Sequence, residues 1–362
     1  MHEKFLLAAL EEAKLGEGFC APNPSVGAVA VKNGDIIARA WHRGAGSPHA
    51  ERLLIDQLPL HETDVTLYVT LEPCNHYGRT PPCVDAIIKY GFSQVVFAYL
   101  DPNPVIAANR TPESLRESGI PVIQHRLSEI DAFYQPYQYW TQTKTPWVTA
   151  KMAQTMDGKI GASEGARVML SNNDCQLFTH QMRRKHDVIL TTAQTIHQDN
   201  PQLNVRYTCL RDEPVVCSKP IAILDRTLSL NPASNIFLTA EHCHVFYDAA
   251  LPAPERLADR TYHPVSTRHG LLNLQEVMQQ LGRLGFHSVW LEAGGRLFTA
   301  MHQAHLVHRT HLYLVPRVLG DNAVSAYHDA DVFNHPQKSV SWMPMGDNMI
   351  ATLDWERARL QV

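Results

Sequence analysis

TLEPCNHYGRTPPC, residues 70–83, carries the chain's two Pro-Cys dipeptides, Pro73-Cys74 and Pro82-Cys83. A β-rich run, VTLYVT, leads into it, and a helical pattern closed by Gly91, CVDAIIKYG, leads out. The thiols therefore sit at the end of a strand and the start of a helix, in a proline-rich loop that also holds His76 and Arg79.

Upstream, two β-rich runs within APNPSVGAVAVKNGDIIARAWH flank Asn33-Gly34, which predicts a type I′ hairpin. SPHAERLLIDQL reads as a helix with Ser47 as N-cap and Pro48 at the first helical position. The opening MHEKFLLAALEEAKLGEG reads as an amphipathic helix ending near Gly16 and Gly18. Downstream follow a strand, SQVVFAYL, a DPNP turn, a helix near 112–118 and a strand at 120–125. These alternations predict an α/β sandwich over residues 1–145. Residues 127–146 are rich in Tyr, Gln and Thr without clear periodicity, and Lys144-Thr145-Pro146 reads as a boundary. A second α/β domain, 146–362, is expected from the strands WVTAKMA, DVILTTA, PIAILD, HVFYD, SVWLEA and THLYLVP, with helices near 172–186, 272–284 and 295–306.

Composition agrees with two domains: 362 residues, 44% apolar and 19% charged, allow each half its own core. Thirty-two basic against 36 acidic residues leave a formal charge of −4, which argues against a general nucleic-acid binder but not against a few arginines on one phosphate. The N-terminal helix lacks the pattern of a signal peptide, and no apolar run approaches the roughly 20 residues that span a bilayer. Seven scattered cysteines with no export signal are expected to be reduced thiols in a cytoplasmic enzyme.

Thiolate and imidazole are zinc ligands, and a catalytic zinc keeps one coordination position open. Cys74 and Cys83 supply two ligands. The third is His49, in the sequence's one His-x-Glu, His49-Ala50-Glu51, at the start of the helix that follows Pro48. Side chains two apart on a helix diverge by about 200°, yet at the N-terminal tip both can reach a centre lying off the end. Cys83 also begins a helix, so two positive helix ends face one site and favour thiolates there. Glu51 marks the site as catalytic: a structural zinc needs no carboxylate beside it, whereas a nearby Glu can move a proton from water to a leaving group. Zinc deaminases combine His-x-Glu with a Pro-Cys-x-x-Cys motif; here eight residues separate the cysteines. The competing readings are a structural zinc knuckle with His76 as fourth ligand, making the protein a binding module, and a nucleic-acid deaminase, which the charge balance disfavours.

PNPSVGAV, GSPHAE, TLEPCNHYGRTPPC and DPNP, followed by AKMAQTMDGKI, TIHQDNPQLNVR, LEAGG and Val315-Pro316-Arg317-Val318-Leu319-Gly320, closely resemble the bifunctional deaminase/reductase family of riboflavin biosynthesis, over nearly the whole chain. The resemblance implies an α/β architecture, a cytidine-deaminase-like αβα sandwich followed by a dihydrofolate-reductase-like domain. It implies one Zn2+ per chain, NADPH, and a small pyrimidine ribose phosphate, 2,5-diamino-6-(5-phosphoribosylamino)pyrimidin-4-one, as substrate, with no nucleic-acid or membrane partner; a homo-oligomer is compatible with it. Zinc-activated water would displace the 2-amino group as ammonia, with Glu51 shuttling the proton, and NADPH would then reduce the ribosyl group to ribityl. By the same resemblance Asn23, His42, Asp101 and Asn103 lie near the pyrimidine, and His76 and Arg79 near the phosphate. In the second domain Met169, Thr195, Asp199, Gly294 and Gly295 fall on the cofactor side, and Arg167, Arg183, Leu203, Arg206 and Glu292 on the substrate side. Asn23 and Asp101 also read as plain turn residues before prolines, Gly294-Gly295 as a plain turn, and Arg183 as part of a solvated helix face. Two stretches depart from the family. Arg167-Val168-Met169-Leu170-Ser171 stands where Ser-x-Trp-Ile-Thr is usual, and 106–111 replaces a glycine-containing loop. An active deaminase with an altered or inactive reductase is therefore the second expectation.

Overall fold

The computed structural model describes residues 2–60, 62–76, 81–104, 110–162, 168–210, 213–328, 332–333 and 337–355. The chain forms two compact units, Met1–Lys144 and Thr145–Val362.

The first unit runs α1 (His2–Gly16), β1 (Gly27–Lys32), β2 (Asp35–Trp41), α2 (Ala50–Ile55), β3 (Thr66–Leu71), α3 (Cys83–Tyr90), β4 (Gln94–Tyr99), α4 (Thr111–Glu117), β5 (Val122–Gln124) and α5 (Ser128–Thr143). Its sheet has the order β2-β1-β3-β4-β5. β1 pairs antiparallel with β2 and β3, and β3, β4 and β5 run parallel. The hairpin turns at Asn33 and Gly34, both with positive φ (54° and 87°), as type I′ geometry requires. Alternation along the strands separates two cores. Ala28, Ala30, Leu67, Val69, Val95 and Phe97 pack against α2, α3 and α4 on one face. Val29, Val31, Tyr68, Val96 and Ala98 pack against α1 and α5 on the other. This is a three-layer αβα sandwich.

Two local expectations are corrected. His49, in extended backbone, is the N-cap of α2, and Ser47 instead spends its hydroxyl on Gly44 O at 2.7 Å. Capping at His49 sets the imidazole at the mouth of the helix rather than within its first turn. Residues 127–146, without evident periodicity, contain the 16-residue helix α5. Its buried face, Ile130, Tyr134, Tyr137 and Thr141, follows helical spacing, but tyrosine and threonine carry it rather than aliphatic residues.

The second unit contains β6 (Trp147–Thr155), α6 (Asn173–Lys185), β7 (Val188–Thr192), α7 (Ala193–Asp199), β8 (Val205–Leu210), β9 (Glu213–Cys217), β10 (Pro220–Leu224), β11 (His242–Asp248), β12 (Arg260–Val265), α8 (Leu274–Arg283), β13 (Ser288–Glu292), α9 (Gly295–Gln303), β14 (Arg309–Val315), β15 (Gln337–Met345) and β16 (Asn348–Trp355). Nine of these strands make one sheet, ordered β12-β11-β10-β7-β13-β6-β14-β16-β15. It is parallel from β12 to β14, and the terminal hairpin β15–β16, absent from the sequence reading, adds antiparallel to β14. Val148, Ala150, Leu190, Val289 and Leu291 pack with α8 and α9 on one face, and Ile189, Ile221, Ile223 and Trp290 with α7 on the other. No helix among the described residues is long and apolar enough to cross a membrane.

Candidate active sites

His49 caps α2, Cys74 follows β3, and Cys83 is the first residue of α3. Their ligand atoms all lie within 4.8 Å of one another. His49 Nδ1 is 3.5 Å from Cys74 Sγ and 3.3 Å from Cys83 Sγ. A tetrahedral ion with Zn–S of about 2.3 Å and Zn–N of about 2.0–2.1 Å separates N from S by about 3.5 Å, so this donor set fits zinc. The Cys83 backbone N–H donates to Cys74 Sγ at 3.4 Å, an anion-favouring contact from the start of α3. Hydrogen bonds from Cys83 and from His49 hold the Cys74 thiol down at about 4, and donating to Cys74 raises His49 to about 9. Cys83 shifts upward, through its contact with Cys74 and through burial.

Glu51, 3% exposed, sits in the first turn of α2 and reaches the Cys83 thiol; burial raises its carboxyl above the ordinary range. Among the described residues the cluster counts three ligands, and His76 stands outside it. The arrangement is that of an open coordination site with an acid beside it, and it does not form the four-ligand knuckle.

Asn23 and His42 come to the same place. Asn23 Nδ2 donates to His42 Nε2 at 3.0 Å, and His42 Nδ1 lies 3.1 Å from Pro48 O, so Nδ1 carries the proton. Burial lowers His42 and keeps it neutral, and its ring stands edge-on to His49 at 5.3 Å. Asp101 is buried, its Oδ1 accepting the Asn103 backbone N–H at 2.9 Å and the Tyr137 hydroxyl at 3.1 Å. Burial pushes its carboxyl up to about 6, with the charges of Cys74 and His76 acting on it in opposite senses. Arg79, and most of the 106–111 loop, lie outside the described residues.

Sequence reasoning missed α5 as a contributor here. Tyr134 donates to Ser25 O at 2.9 Å, two residues past Asn23, and shares a 2.6 Å hydrogen bond with Thr70. The spacing of Tyr134 and Tyr137 with Ile130 was the available signal.

In the second unit Arg183 is buried, not solvated. Its Nε and Nη2 bind Glu292 Oε1 and Oε2 at 2.5 and 2.8 Å, and its Nη1 donates to Asn204 O at 3.1 Å. Trp290 Nε1 adds a 2.7 Å bond to Glu292. Burial alone would raise Glu292; the guanidinium overrides it and holds the carboxyl at about 2. Lys151, opposite Glu292 in the β6–β13 register, was not singled out by sequence; a lysine inside WVTAKMA was the clue. Its ammonium lies 5.1 Å from the Tyr313 ring centroid. Leu203 is buried with φ of 46°, and Arg206 Nη1 donates to Asn204 Oδ1 at 2.7 Å. Arg183, Arg206 and Glu292 thus meet around the 203–204 turn. Arg167 lies outside the described residues.

Of the residues expected on the cofactor side, Thr195 and Gly294-Gly295 follow the C-terminal ends of the neighbouring strands β7 and β13, where open α/β sheets bind ligands. Thr192 ends β7 and caps α7, accepting the Thr195 N–H at 3.1 Å, with Asp199 at the far end of α7. Gly294 ends the β13 turn and caps α9, with nothing within 4 Å of an added Cβ, which leaves that helix start open to a phosphate. Gly295 serves a different purpose: an added Cβ would lie 2.4 Å from Ala326 O. Exposed Met169 is held by Arg317, which donates to its carbonyl at 3.1 Å.

The two sites define a zinc-dependent deaminase unit joined to a reductase unit. Residues 1–99 match the cytidine and deoxycytidylate deaminase zinc-binding region, and residues 146–350 match the RibD C-terminal domain. The riboflavin biosynthesis protein RibD of Aquifex aeolicus is 32% identical over 88% of both chains, and that of Escherichia coli is 33% identical over 89% of both. The Acinetobacter baumannii RibD structure superimposes with a TM-score of 0.86 at 28% identity, covering 98% of this chain and 99% of that one. A Thermotoga maritima diaminohydroxyphosphoribosylaminopyrimidine deaminase/5-amino-6-(5-phosphoribosylamino)uracil reductase gives 0.83 at 29% identity, with the same coverage. The chain belongs to the RibD family of bifunctional deaminase/reductases of riboflavin biosynthesis. Zinc serves its first unit and NADPH its second.

Proposed function

We propose that the first unit hydrolyses the 2-amino group of 2,5-diamino-6-(5-phosphoribosylamino)pyrimidin-4-one and that the second reduces the product's ribosyl group to ribityl. The convergence of His49, Cys74 and Cys83 with Glu51 beside them carries this reading. His49, Cys74 and Cys83 would hold zinc, which when bound would bring water to a pKa of about 7. Glu51 is the carboxylate placed to carry a proton to the departing amine. His42, neutral and donating from Nδ1 to Pro48 O, orients Asn23 toward the ring. Asp101 and Asn103 accept and donate at the pyrimidine edge, and His76 and Arg79 meet the phosphate.

In the second unit Met169, Thr195, Asp199 and the Gly294-Gly295 turn would hold NADPH, which when bound would supply the hydride. Glu292, kept ionised by Arg183, faces the sugar, with Leu203 against it. Arg206, with Arg167, takes the phosphate, because Arg183 is engaged by Glu292.

Ammonia release from the diaminopyrimidine phosphate, read with metal content, tests the first activity. Glu51→Gln is expected to keep its zinc and lose about 100-fold or more in rate; full activity in that variant would refute the assignment. NADPH oxidation with the deaminated ribosylamino-uracil phosphate tests the second, and its absence would leave a deaminase with an altered reductase unit.

A further inference from the structure

The reaction assigned to the first unit uses Asp101, and the protein surrounds that carboxylate asymmetrically. Oδ1 is saturated: it accepts the Asn103 N–H at 2.9 Å and the Tyr137 hydroxyl at 3.1 Å. Oδ2 accepts no hydrogen bond from any described residue, although Asp101 is only 5% exposed. Oδ2 is not sealed from the surface, and its acceptor positions stay open to a donor that enters the site. The Asp101 backbone N–H is itself fixed, donating to Glu72 Oε2 at 3.3 Å. Backbone and one oxygen are therefore locked, and the other oxygen is presented.

Tyr137 has no evident reason of core packing to hold its hydroxyl there. Its ring lies 5% exposed in the apolar layer shared by α1 and α5, where a phenylalanine would bury the same surface. The hydroxyl crosses out of that layer to the loop after β4, where it donates to Asp101 Oδ1 and also meets the Asn103 side chain. Tyr134, one turn earlier on α5, does the same for the loop before β1 through Ser25 O. One helix thus reaches with two phenols to the two loops that carry Asp101 and Asn23.

We propose that Tyr137 is a positioning residue of the deaminase unit: its hydroxyl occupies Asp101 Oδ1 and so turns Oδ2 toward an amino or ring N–H donor of the pyrimidine. This deepens the functional reading above and rests on it. Loss of the hydroxyl frees Oδ1 to compete and loosens the carboxylate, weakening ground-state binding without touching the atoms that react. Such an effect appears in KM with kcat preserved.

The test is steady-state ammonia release by the full zinc-loaded chain from the diaminopyrimidine phosphate, with Tyr137→Phe, Asp101→Asn, the double variant and Tyr99→Phe. Tyr99 donates its hydroxyl to Gln138 Oε1 at 2.8 Å, on the same helix, so it controls for loss of a phenol from this layer. Tyr137→Phe is expected to raise KM roughly tenfold with kcat within about twofold. Tyr99→Phe is expected to match the wild type, and Tyr137→Phe to add nothing in the Asp101→Asn background. Unchanged KM in Tyr137→Phe, or a further loss in the double variant, would overturn the assignment. So would a drop in kcat that tracks loss of zinc or of thermal stability, because the hydroxyl would then be structural. A wild type that releases no ammonia would instead remove the functional reading, and this inference with it.

Discussion

Arg183 on α6 and Glu292 at the end of β13, 109 residues apart in sequence, grip each other through two hydrogen bonds of 2.5 and 2.8 Å. The bidentate fork fixes the carboxylate plane, and Trp290 and Asn204 O satisfy further positions on the two partners. Glu292 is thereby an anion held in place at the C-terminal edge of the sheet.

Removing one partner of such a pair strands a buried charge. Arg183→Ala is expected to destabilise the second unit by about 3–5 kcal/mol and to abolish NADPH oxidation, while ammonia release persists. Urea denaturation and the two assays on one preparation check this; unchanged stability would contradict it.

The metal centre rests on three side chains from three separate segments. Cys83→Ser is expected to lose stoichiometric zinc and ammonia release together, and a chelator to do the same to the wild type, reversibly on adding Zn2+. Metal analysis before and after dialysis is the measurement. NADPH oxidation on the deaminated substrate should survive both treatments.

Gly295 leaves no space for a side chain. The obstructing atom, Ala326 O at 2.4 Å from an added Cβ, is backbone and yields only if the segment moves. Gly295→Ala is expected to cost about 1–3 kcal/mol and to weaken NADPH binding through displacement of the α9 start. Gly294→Ala, with open space around its Cβ, should fold normally. Thermal unfolding of the two variants compares them directly.

The second unit should lose stability in acid. Burial holds His180 and His186 at about 4 and His308 and His311 at about 3. Each binds a proton more readily when unfolded, so its contribution is full above about pH 6.5 and is lost as pH falls toward its folded value. Glu292, held at about 2, adds a loss in the same direction once pH drops below about 4.5. Denaturant midpoints are expected to be level from pH 8 to about 6.5 and to fall from there to pH 4; a flat profile over the whole range would exclude the effect.

Local signals were readable wherever a residue's own backbone chemistry decides the outcome. Asn33-Gly34 turns the first hairpin and Gly91 ends α3 with φ of 86°, because glycine and asparagine accept positive φ at little cost. His-x-Glu and the two Pro-Cys pairs pointed to His49, Cys74 and Cys83, which the fold brings together, because zinc restricts its donors to a few side-chain types. The helix α5 was not readable, since tyrosines become core residues only once Ser25, Thr70 and Asp101 are present to take their hydroxyls. Arg183 likewise reads as solvated in QMRRKH until Glu292 arrives from another strand.

The first hairpin, the alternation of strands and helices around the proposed zinc donors, and the donor types themselves were thus legible in sequence alone, through backbone preference and ligand chemistry. Tertiary structure alone decided that His49 caps α2, that Tyr137 reaches Asp101, and that Arg183 is spent on Glu292. Each of these joins a polar group to a partner distant in the chain, and burial makes such a group depend on a partner that its own neighbourhood in sequence does not contain.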